Sequence, residues 1–292
     1  MKSIAGAVVA IMFLGYSLLM GQGDEQKEFG TYQEMRVRVG ELYAQQKYKE
    51  AADILEGAIE RFPEKLLANT YNLALMRLLV GDTEKAVATL ESGLDRGIWF
   101  GKFDFLAEQW EPLKASESFK RFAEKNEAMM REAQKQAAMR LEIVTPEGYR
   151  ADKSYPLFIA LHGGGENTAD LRPHWVSEKL KKEYIVAFVQ SSQLVAMDGY
   201  TWEDLKTSAK EIGEAYRSVC EKHAVKKEDV VVGGFSSGGF ASLAVALTNV
   251  IPVTGFIALC PGVPEEVTDE DIRRAADLGV RGTAKTWGSS PD

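Results

Sequence analysis

The chain of 292 residues is long enough for about two domains, and its 45% hydrophobic and 27% charged residues are typical of a globular protein. A formal net charge of −8 provides no basic surface for a phosphate backbone, which argues against a nucleic acid partner. Three histidines and two cysteines are too few for a Cys/His zinc framework or a disulfide-stapled small domain. We therefore expect no metal site of that kind.

The N-terminus has the layout of a secretory signal peptide. Lys2 precedes an uncharged apolar segment, residues 4–20, and Gly21 and Gly23 supply small residues for cleavage. We expect residues 1–23 to direct export to the periplasm or the cell exterior. An uncleaved membrane anchor is the alternative, although this apolar segment has only the shortest length that spans a bilayer.

Export would permit a disulfide bond between the two cysteines. Cys220 lies in a helical pattern, and Cys260 ends an apolar segment that reads as a strand. The alternative is that both are buried as small apolar residues, because nothing in the sequence brings the two side chains together.

Residues 30–138 read as a series of amphipathic helices that contains an internal repeat. Residues 47–63 and 82–97 are similar, and each follows another amphipathic segment. Three pairs of residues recur at a spacing of 35 residues: Ala51 and Ala86, Leu55 and Leu90, and Ala58 and Gly93. A period near 34 residues, with small residues where helices touch, is typical of tetratricopeptide repeats. Such a module either binds a partner or packs as a structural appendage.

From residue 139 onward, the pattern changes to short apolar segments that alternate with helices. The predicted strands lie in residues 139–146, 155–165, 183–192, 229–239 and 253–262. The predicted helices lie in residues 205–224, 239–249 and 264–279. This alternation predicts an α/β domain over residues 139–292, with a mostly parallel, doubly wound sheet and its ligand site at the carboxyl ends of the strands.

A serine within a glycine-rich turn is the first candidate for chemistry. Residues 234–238 read GFSSG, which fits G-x-S-x-G, and they lie between a predicted strand and a predicted helix. Gly234 and Gly238 leave room for a sharp turn that would expose the hydroxyl of Ser236. We interpret Ser236 as a nucleophile, and a serine-capped glycine turn is the alternative.

A run of glycines after an earlier strand is the second candidate. Residues 161–165 read LHGGG, and successive glycines allow backbone N–H groups to converge on one point. Acyl transfer needs such donors where negative charge develops on the carbonyl oxygen. We expect an oxyanion hole formed by the amides of Gly163, Gly164 and Ser237.

These two segments resemble the α/β-hydrolases, in particular esterases of the carboxylesterase, phospholipase and polyhydroxybutyrate-depolymerase kinds. The resemblance covers residues 140–292 and depends on YPLFIALHGGG (155–165) and VVVGGFSSGG (230–239). It implies hydrolysis of a small-molecule or polymeric carboxylic ester through a Ser–Asp–His triad, without a cofactor or metal. The first half resembles tetratricopeptide modules that precede some secreted hydrolases, which implies a protein partner as a possibility.

The sequence departs from that family after the nucleophile. The triad acid and histidine should follow Ser236 in the chain. No histidine does, and Asp292, the last residue, stands where the acid is expected. Three explanations are open: a truncated or frameshifted sequence, an inactive hydrolase-like binding protein, or the use of an upstream histidine. His162 belongs to the oxyanion segment, and we expect His174 and His223 at the surface or capping a helix.

Other residues near these segments have two interpretations each. Trp202 would line the substrate pocket or pack in the core, and Glu166 and Asn167 would contact substrate or cap a helix. We expect an exported serine hydrolase whose activity is impaired in the present sequence. A catalytically inactive binding protein that holds a partner on its repeats is the alternative, and peptidase chemistry is also open.

Overall fold

The computed structural model describes residues 29–262 and 264–285, and the chain divides into two compact units between Arg131 and Glu132. This division lies a few residues before the expected boundary at 138/139. The predicted signal peptide and Asp292 lie outside the described residues. In the described ranges, no helix combines the length and apolar character needed to cross a membrane.

The first unit is built from helices. They are α1 (Tyr32–Ala44), α2 (Tyr48–Arg61), α3 (Leu66–Leu79), α4 (Thr83–Asp95), α5 (Glu111–Lys114) and α6 (Glu117–Gln136), the last of which continues past the division between the units. Consecutive helices from α1 to α4 pack against one another. The predicted repeat thus corresponds to two helix pairs, α1–α2 and α3–α4.

The repeated small residues lie where these helices meet. Ala51 and Ala58 in α2, and Ala86 and Gly93 in α4, are all buried. A Cβ atom built on Gly93 would lie 2.9 Å from the Cδ1 atom of Ile98, so this helix face has no room for a larger residue. The packing agrees with the steric reason for the repeat, while membership in the tetratricopeptide class stays a prediction.

The second unit contains a six-stranded sheet. Its strands are β1 (Arg140–Val144), β2 (Tyr155–Leu161), β3 (Ile185–Gln190), β6 (Val225–Phe235), β7 (Gly255–Leu259) and β8 (Arg281–Lys285). Their order in the sheet is β1-β3-β2-β6-β7-β8; β1 is antiparallel to β3, and all other neighbours are parallel. Strands β4 (Gln193–Ala196) and β5 (Gly199–Thr201) form a separate hairpin. The predicted mostly parallel sheet is confirmed.

Helices cover both faces of this sheet. They are α7 (Thr168–Leu171), α8 (Glu178–Glu183), α9 (Leu205–Lys222), α10 (Ser237–Thr248) and α11 (Asp269–Asp277). Along β2, Leu157 and Ile159 join a core cluster with residues of α9 and α10, whereas Phe158 joins a second cluster with Leu171 of α7. Successive strand residues point to opposite faces, so β2 is apolar throughout because both faces are covered.

The register of the two central strands positions the site. Leu161, the last residue of β2, lies opposite Gly234 of β6 in a parallel pair. Gly163 and Ser236 each follow these partners by two residues, so both emerge at the same edge of the sheet.

The two cysteines do not form the disulfide bond that export would have permitted. Cys220 lies in α9, whereas Cys260 follows β7, and both side chains are free thiols. Both are only partly buried, so neither is the fully buried small residue of the alternative interpretation.

Candidate active site

Ser236 occupies the turn between β6 and α10 in a backbone conformation that residues with side chains seldom adopt. Its φ and ψ angles are 52° and −116°. The turn is held on both sides: the Ser236 amide donates to the carbonyl of Leu259 at 2.8 Å, and the amide of Phe240 donates to the carbonyl of Ser236 at 2.9 Å. A strained conformation retained in this way is frequent at functional sites.

Glycines make this turn sterically possible. A Cβ atom on Gly234 would lie 2.3 Å from the carbonyl oxygen of Gly238, so the two ends of the turn are in backbone contact. A Cβ atom on Gly238 would lie 2.4 Å from the carbonyl oxygen of His162. The start of α10 therefore packs directly on the end of β2, which brings the glycine loop next to the serine turn.

The glycine loop contributes one free amide beside that turn. The position of a Cβ atom on Gly164 is 3.6 Å from the Oγ atom of Ser237. In the described part of the chain, neither the Gly164 amide nor the Ser237 amide donates a hydrogen bond to protein. The Gly163 amide, which we expected to be a third donor, is already used, because it donates to the Oε2 atom of Glu166 at 2.8 Å.

The β4–β5 hairpin supports the outer side of the glycine loop. The Gly165 amide donates to the carbonyl of Tyr200 at 2.8 Å, and the Tyr200 amide donates to the carbonyl of Glu166 at 2.9 Å. A Cβ atom on Gly199 would lie 2.6 Å from the carbonyl oxygen of Gly165, so this approach also requires a glycine. Loop and hairpin thus form a short two-stranded bridge.

His162 is a structural residue of the same loop. Its Nδ1 atom lies 2.8 Å from the carbonyl oxygen of Gly163, and its Nε2 atom accepts from the amide of Ser191 at 3.1 Å. Since Nε2 accepts, Nδ1 carries the proton and donates. Burial lowers the pKa of His162 to about 4, so the ring is neutral at pH 7. With both nitrogen atoms engaged, this ring is not placed to serve as a base for Ser236.

The two remaining histidines lie elsewhere. His223 precedes the first residue of β6, whereas Ser236 follows the last, so they lie at opposite edges of the sheet. The Nδ1 atom of His223 is 2.9 Å from the hydroxyl of Tyr149. His174 is exposed at the end of the short helical turn Arg172–His174. The structure therefore agrees with the expected surface and cap positions of these two residues.

Trp202 packs in the core, which was one of the two expected positions. It is 0% exposed and belongs to the cluster that contains Leu161, and its ring centre lies 5.1 Å from that of His162. The expectation that Trp202 lines the substrate pocket is therefore wrong, because no part of the side chain reaches the surface. Asn167 caps α7 through hydrogen bonds from the amides of Ala169 and Asp170.

A buried carboxylate that was not identified from the sequence, Glu211, forms hydrogen bonds with the residues that follow β3. Glu211 of α9 is 5% exposed and accepts from the hydroxyl of Ser191 and from the amide of Ser192, at 3.0 and 3.1 Å. Ser191 in turn donates to His162. The available signal was helical spacing, because Glu211 stands beside Ile212 and four residues before Ala215, on the buried face of α9. Among the residues that the structure describes, no group of three His, Cys, Asp or Glu could hold a metal ion.

Two observations together decide the fold of this unit: the strand order with β1 antiparallel at one edge, and a serine with positive φ at the turn from a central strand to a helix. Residues 139–285 have the α/β-hydrolase fold. In this unit, the Ser236 turn and the glycine loop after β2 lie side by side at the carboxyl ends of the two central strands.

Comparisons with known proteins give partial matches. No protein-family model matches the chain. A segment of 62 residues is 37% identical to acyl-protein thioesterase 1 of Mycosarcoma maydis, and this match covers 21% of the chain and 26% of that protein. The chain is therefore matched to only about a quarter of this curated relative.

Among solved structures, an uncharacterized protein from Bacillus cereus ATCC 10987 is 22% identical over 90% of this chain and 94% of its own, with a TM-score of 0.37. The Bacillus cereus carboxylesterase is 18% identical over 52% of this chain and 86% of its own, with a TM-score of 0.38. A phospholipase/carboxylesterase from Dyadobacter fermentans is 15% identical over 52% and 90%, with a TM-score of 0.37. Because these TM-scores are low, the assignment of the fold depends on the strand order and the Ser236 turn alone.

Proposed function

We propose that this protein is an exported serine hydrolase that cleaves carboxylic esters, with Ser236 as the nucleophile. The observation that carries the proposal is the positive φ of Ser236 at a strand-to-helix turn beside a glycine loop. In this reaction, the Oγ atom of Ser236 attacks the ester carbonyl and forms a tetrahedral intermediate. The alcohol leaves when the intermediate collapses to an acyl-enzyme, which water then hydrolyses.

Two amides are available for the negative charge of the intermediate. The N–H groups of Gly164 and Ser237 make no hydrogen bond within the described residues, and they lie on adjoining segments. A preorganised donor of this kind contributes about 2.7–4 kcal/mol to the transition state. The N-terminus of α10 adds a partial positive charge at the same place. We assign the oxyanion hole to Gly164 and Ser237, with Gly163 in a supporting role.

Two of the three histidines, His162 and His223, are not placed to act as the base for Ser236. His162 is neutral and uses both ring nitrogens, and His223 lies at the opposite edge of the sheet. Asp292 is proposed as the triad acid from its order in the sequence alone. Because an unassisted serine hydroxyl is a weak nucleophile at neutral pH, we expect slow ester hydrolysis by the 292-residue chain.

Imidazole in solution can replace a missing base and so tests the nucleophile directly. We expect added imidazole to accelerate release of p-nitrophenol from p-nitrophenyl acetate by the purified chain, beyond the reaction of imidazole alone. Ser236→Ala should lose this increment, whereas Ser218→Ala, near the C-terminal end of α9, should keep it. An increment of equal size in Ser236→Ala would disprove the assignment. Rapid hydrolysis without imidazole, lost in Ser236→Ala, would disprove the expected impairment.

A fluorophosphonate probe separates the hydrolase from the inactive binding protein. We expect the probe to modify Ser236 stoichiometrically in the presence of imidazole, and peptide mapping distinguishes Ser236 from the adjacent Ser237. Absence of modification at Ser236 over many hours would favour the binding protein.

Thioesters are the second candidate substrate class, because the curated relative with 37% identity over 62 residues is named an acyl-protein thioesterase. A thiolate is a better leaving group than an alkoxide, so cleavage of a thioester depends less on protonation of the departing group. Matched oxygen esters, thioesters and peptides with the same acyl group would separate the three chemistries. Export and a protein partner for the helical repeats stay predictions from the sequence.

A further inference from the structure

Glu166 forms two hydrogen bonds with Gly163 across the glycine loop. Its Oε2 atom accepts from the amide of Gly163 at 2.8 Å, and its own amide donates to the carbonyl of Gly163 at 3.3 Å. The two residues are therefore joined in both directions, with Gly164 and Gly165 at the tip of the turn.

This closure determines which amide of the loop remains available. The Gly163 amide points to Glu166, and the Gly165 amide donates to Tyr200. Only Gly164 of the three successive glycines keeps an amide without a partner in the described residues, and Gly164 is the glycine that adjoins Ser237. The arrangement thus selects one donor from three.

We propose that Glu166 is a positioning residue, which holds the Gly163 amide away from substrate and so presents the Gly164 amide as the oxyanion donor. This inference rests on the proposed function of the same site. Glu166 acts as a hydrogen-bond acceptor and not through its charge, because a carboxylate near a developing oxyanion would oppose that charge. A neutral acceptor of the same length should therefore serve equally well.

The side chain of Glu166 also explains why residue 163 is a glycine. A Cβ atom on Gly163 would lie 2.9 Å from the Oε2 atom of Glu166, and it would also lie 3.2 Å from the Cδ1 atom of Phe235. Since the end of a glutamate side chain is flexible, Gly163→Ala should displace the carboxylate and open the hydrogen bond. Gly163→Ala and Glu166→Ala should thus both remove this hydrogen bond, and their effects on the residue 163 amide should not add.

The first test measures the hydrogen bond without any catalysis. In the ¹⁵N-labelled full chain, we expect slow hydrogen exchange and a downfield proton shift for the Gly163 amide. Both features should be lost in Glu166→Ala and retained in Glu166→Gln. Glu183→Ala, which removes an exposed carboxylate at the end of α8, should leave them unchanged. Unchanged exchange and shift of the Gly163 amide in Glu166→Ala would overturn the proposal.

The second test measures the consequence for Ser236. With a fluorophosphonate probe and imidazole, Glu166→Ala should slow modification of Ser236 by about tenfold to a hundredfold, the usual effect of a misplaced catalytic donor. Glu166→Gln and Glu183→Ala should retain the rate. An equal loss of rate in Glu166→Gln and Glu166→Ala would overturn the positioning role.

The two tests also separate this inference from the proposed function. If Ser236 of the unaltered chain takes no probe even with imidazole, the proposed function fails and the positioning role fails with it. The Gly163 amide would then still report whether the hydrogen bond to Glu166 exists. If Ser236 reacts equally fast in the unaltered chain and in Glu166→Ala, only the positioning role fails.

Discussion

The Nε2 atom of His162 accepts a hydrogen bond from the amide of Ser191 at 3.1 Å, and the imidazole ring is 0% exposed. Protonation of this ring would convert the acceptor into a second donor that faces an N–H group. His162 must therefore stay neutral for the loop after β2 and the end of β3 to remain joined.

Stability should consequently depend on pH through His162. Burial lowers its pKa from 6.5 to about 4 in the folded protein, so the unfolded chain binds more protons between these values. The free energy of unfolding should fall as pH decreases from about 6.5 to about 4, by an amount on the order of 3 kcal/mol. Above pH 6.5, this contribution should be constant.

Urea unfolding at pH 7 and pH 5 measures this effect, and His162→Gln is the matched variant because its amide has no titrating proton. We expect a smaller loss of unfolding free energy between these pH values in His162→Gln than in the unaltered chain. An identical loss in both proteins would show that other groups cause the acid sensitivity.

Backbone strain at Ser236 should be visible as a stability difference between two substitutions. The φ of 52° and ψ of −116° suit glycine and not alanine, and such conformations cost about 1–3 kcal/mol in residues with a side chain. We expect Ser236→Gly to be more stable to urea than Ser236→Ala, by roughly 1 kcal/mol after the extra entropy of an unfolded glycine is included.

The same pair of substitutions in a regular helix should give the opposite order. In α9, Ser218→Gly should be less stable than Ser218→Ala by about 1 kcal/mol, because glycine is a poor helix former. If glycine is the less stable replacement at both positions, the turn at Ser236 is not strained.

Two glycines in the first unit should respond in opposite directions to alanine. Gly93→Ala places a methyl group 2.9 Å from Ile98 and 3.1 Å from Thr70, and such overpacking costs about 1–3 kcal/mol. Gly57 in α2 has no atom within 4 Å of a built Cβ, so Gly57→Ala should stabilise the helix by up to about 1 kcal/mol. Thermal unfolding followed by far-UV circular dichroism compares them, and equal effects would contradict the close packing at Gly93.

The helical repeat and the alternating second half were predictable because their signals are local and periodic. Ala58 and Gly93 recur at a fixed spacing and are both buried where helices meet. The strand before Ser236 and the helix after it are equally clear, since an apolar segment and an Ala- and Leu-rich segment flank the glycines. These patterns also predicted that Ser236 and the glycine loop lie at one edge of the sheet.

Partners from distant segments were not predictable. From the sequence, Trp202 could line the pocket or pack in the core. Only the packing of β2, α9 and α10 around it shows that it is buried. Glu211 is one of many charged residues on helices, and its role depends on its hydrogen bond with Ser191, the residue that follows β3. Similarly, the choice of Gly164 over Gly163 as a donor depends on where the side chain of Glu166 points.

The amino-acid sequence by itself determined the two-part organisation, the mostly parallel sheet and the sharp glycine-flanked turn at Ser236, because each depends on the steric limits of a continuous stretch of chain. Only the tertiary structure decided which amides remain free, which histidine nitrogens are engaged and which aromatic ring is buried. A hydrogen bond uses up a donor or an acceptor only when both groups meet. That meeting is set by the packing of segments far apart in the chain.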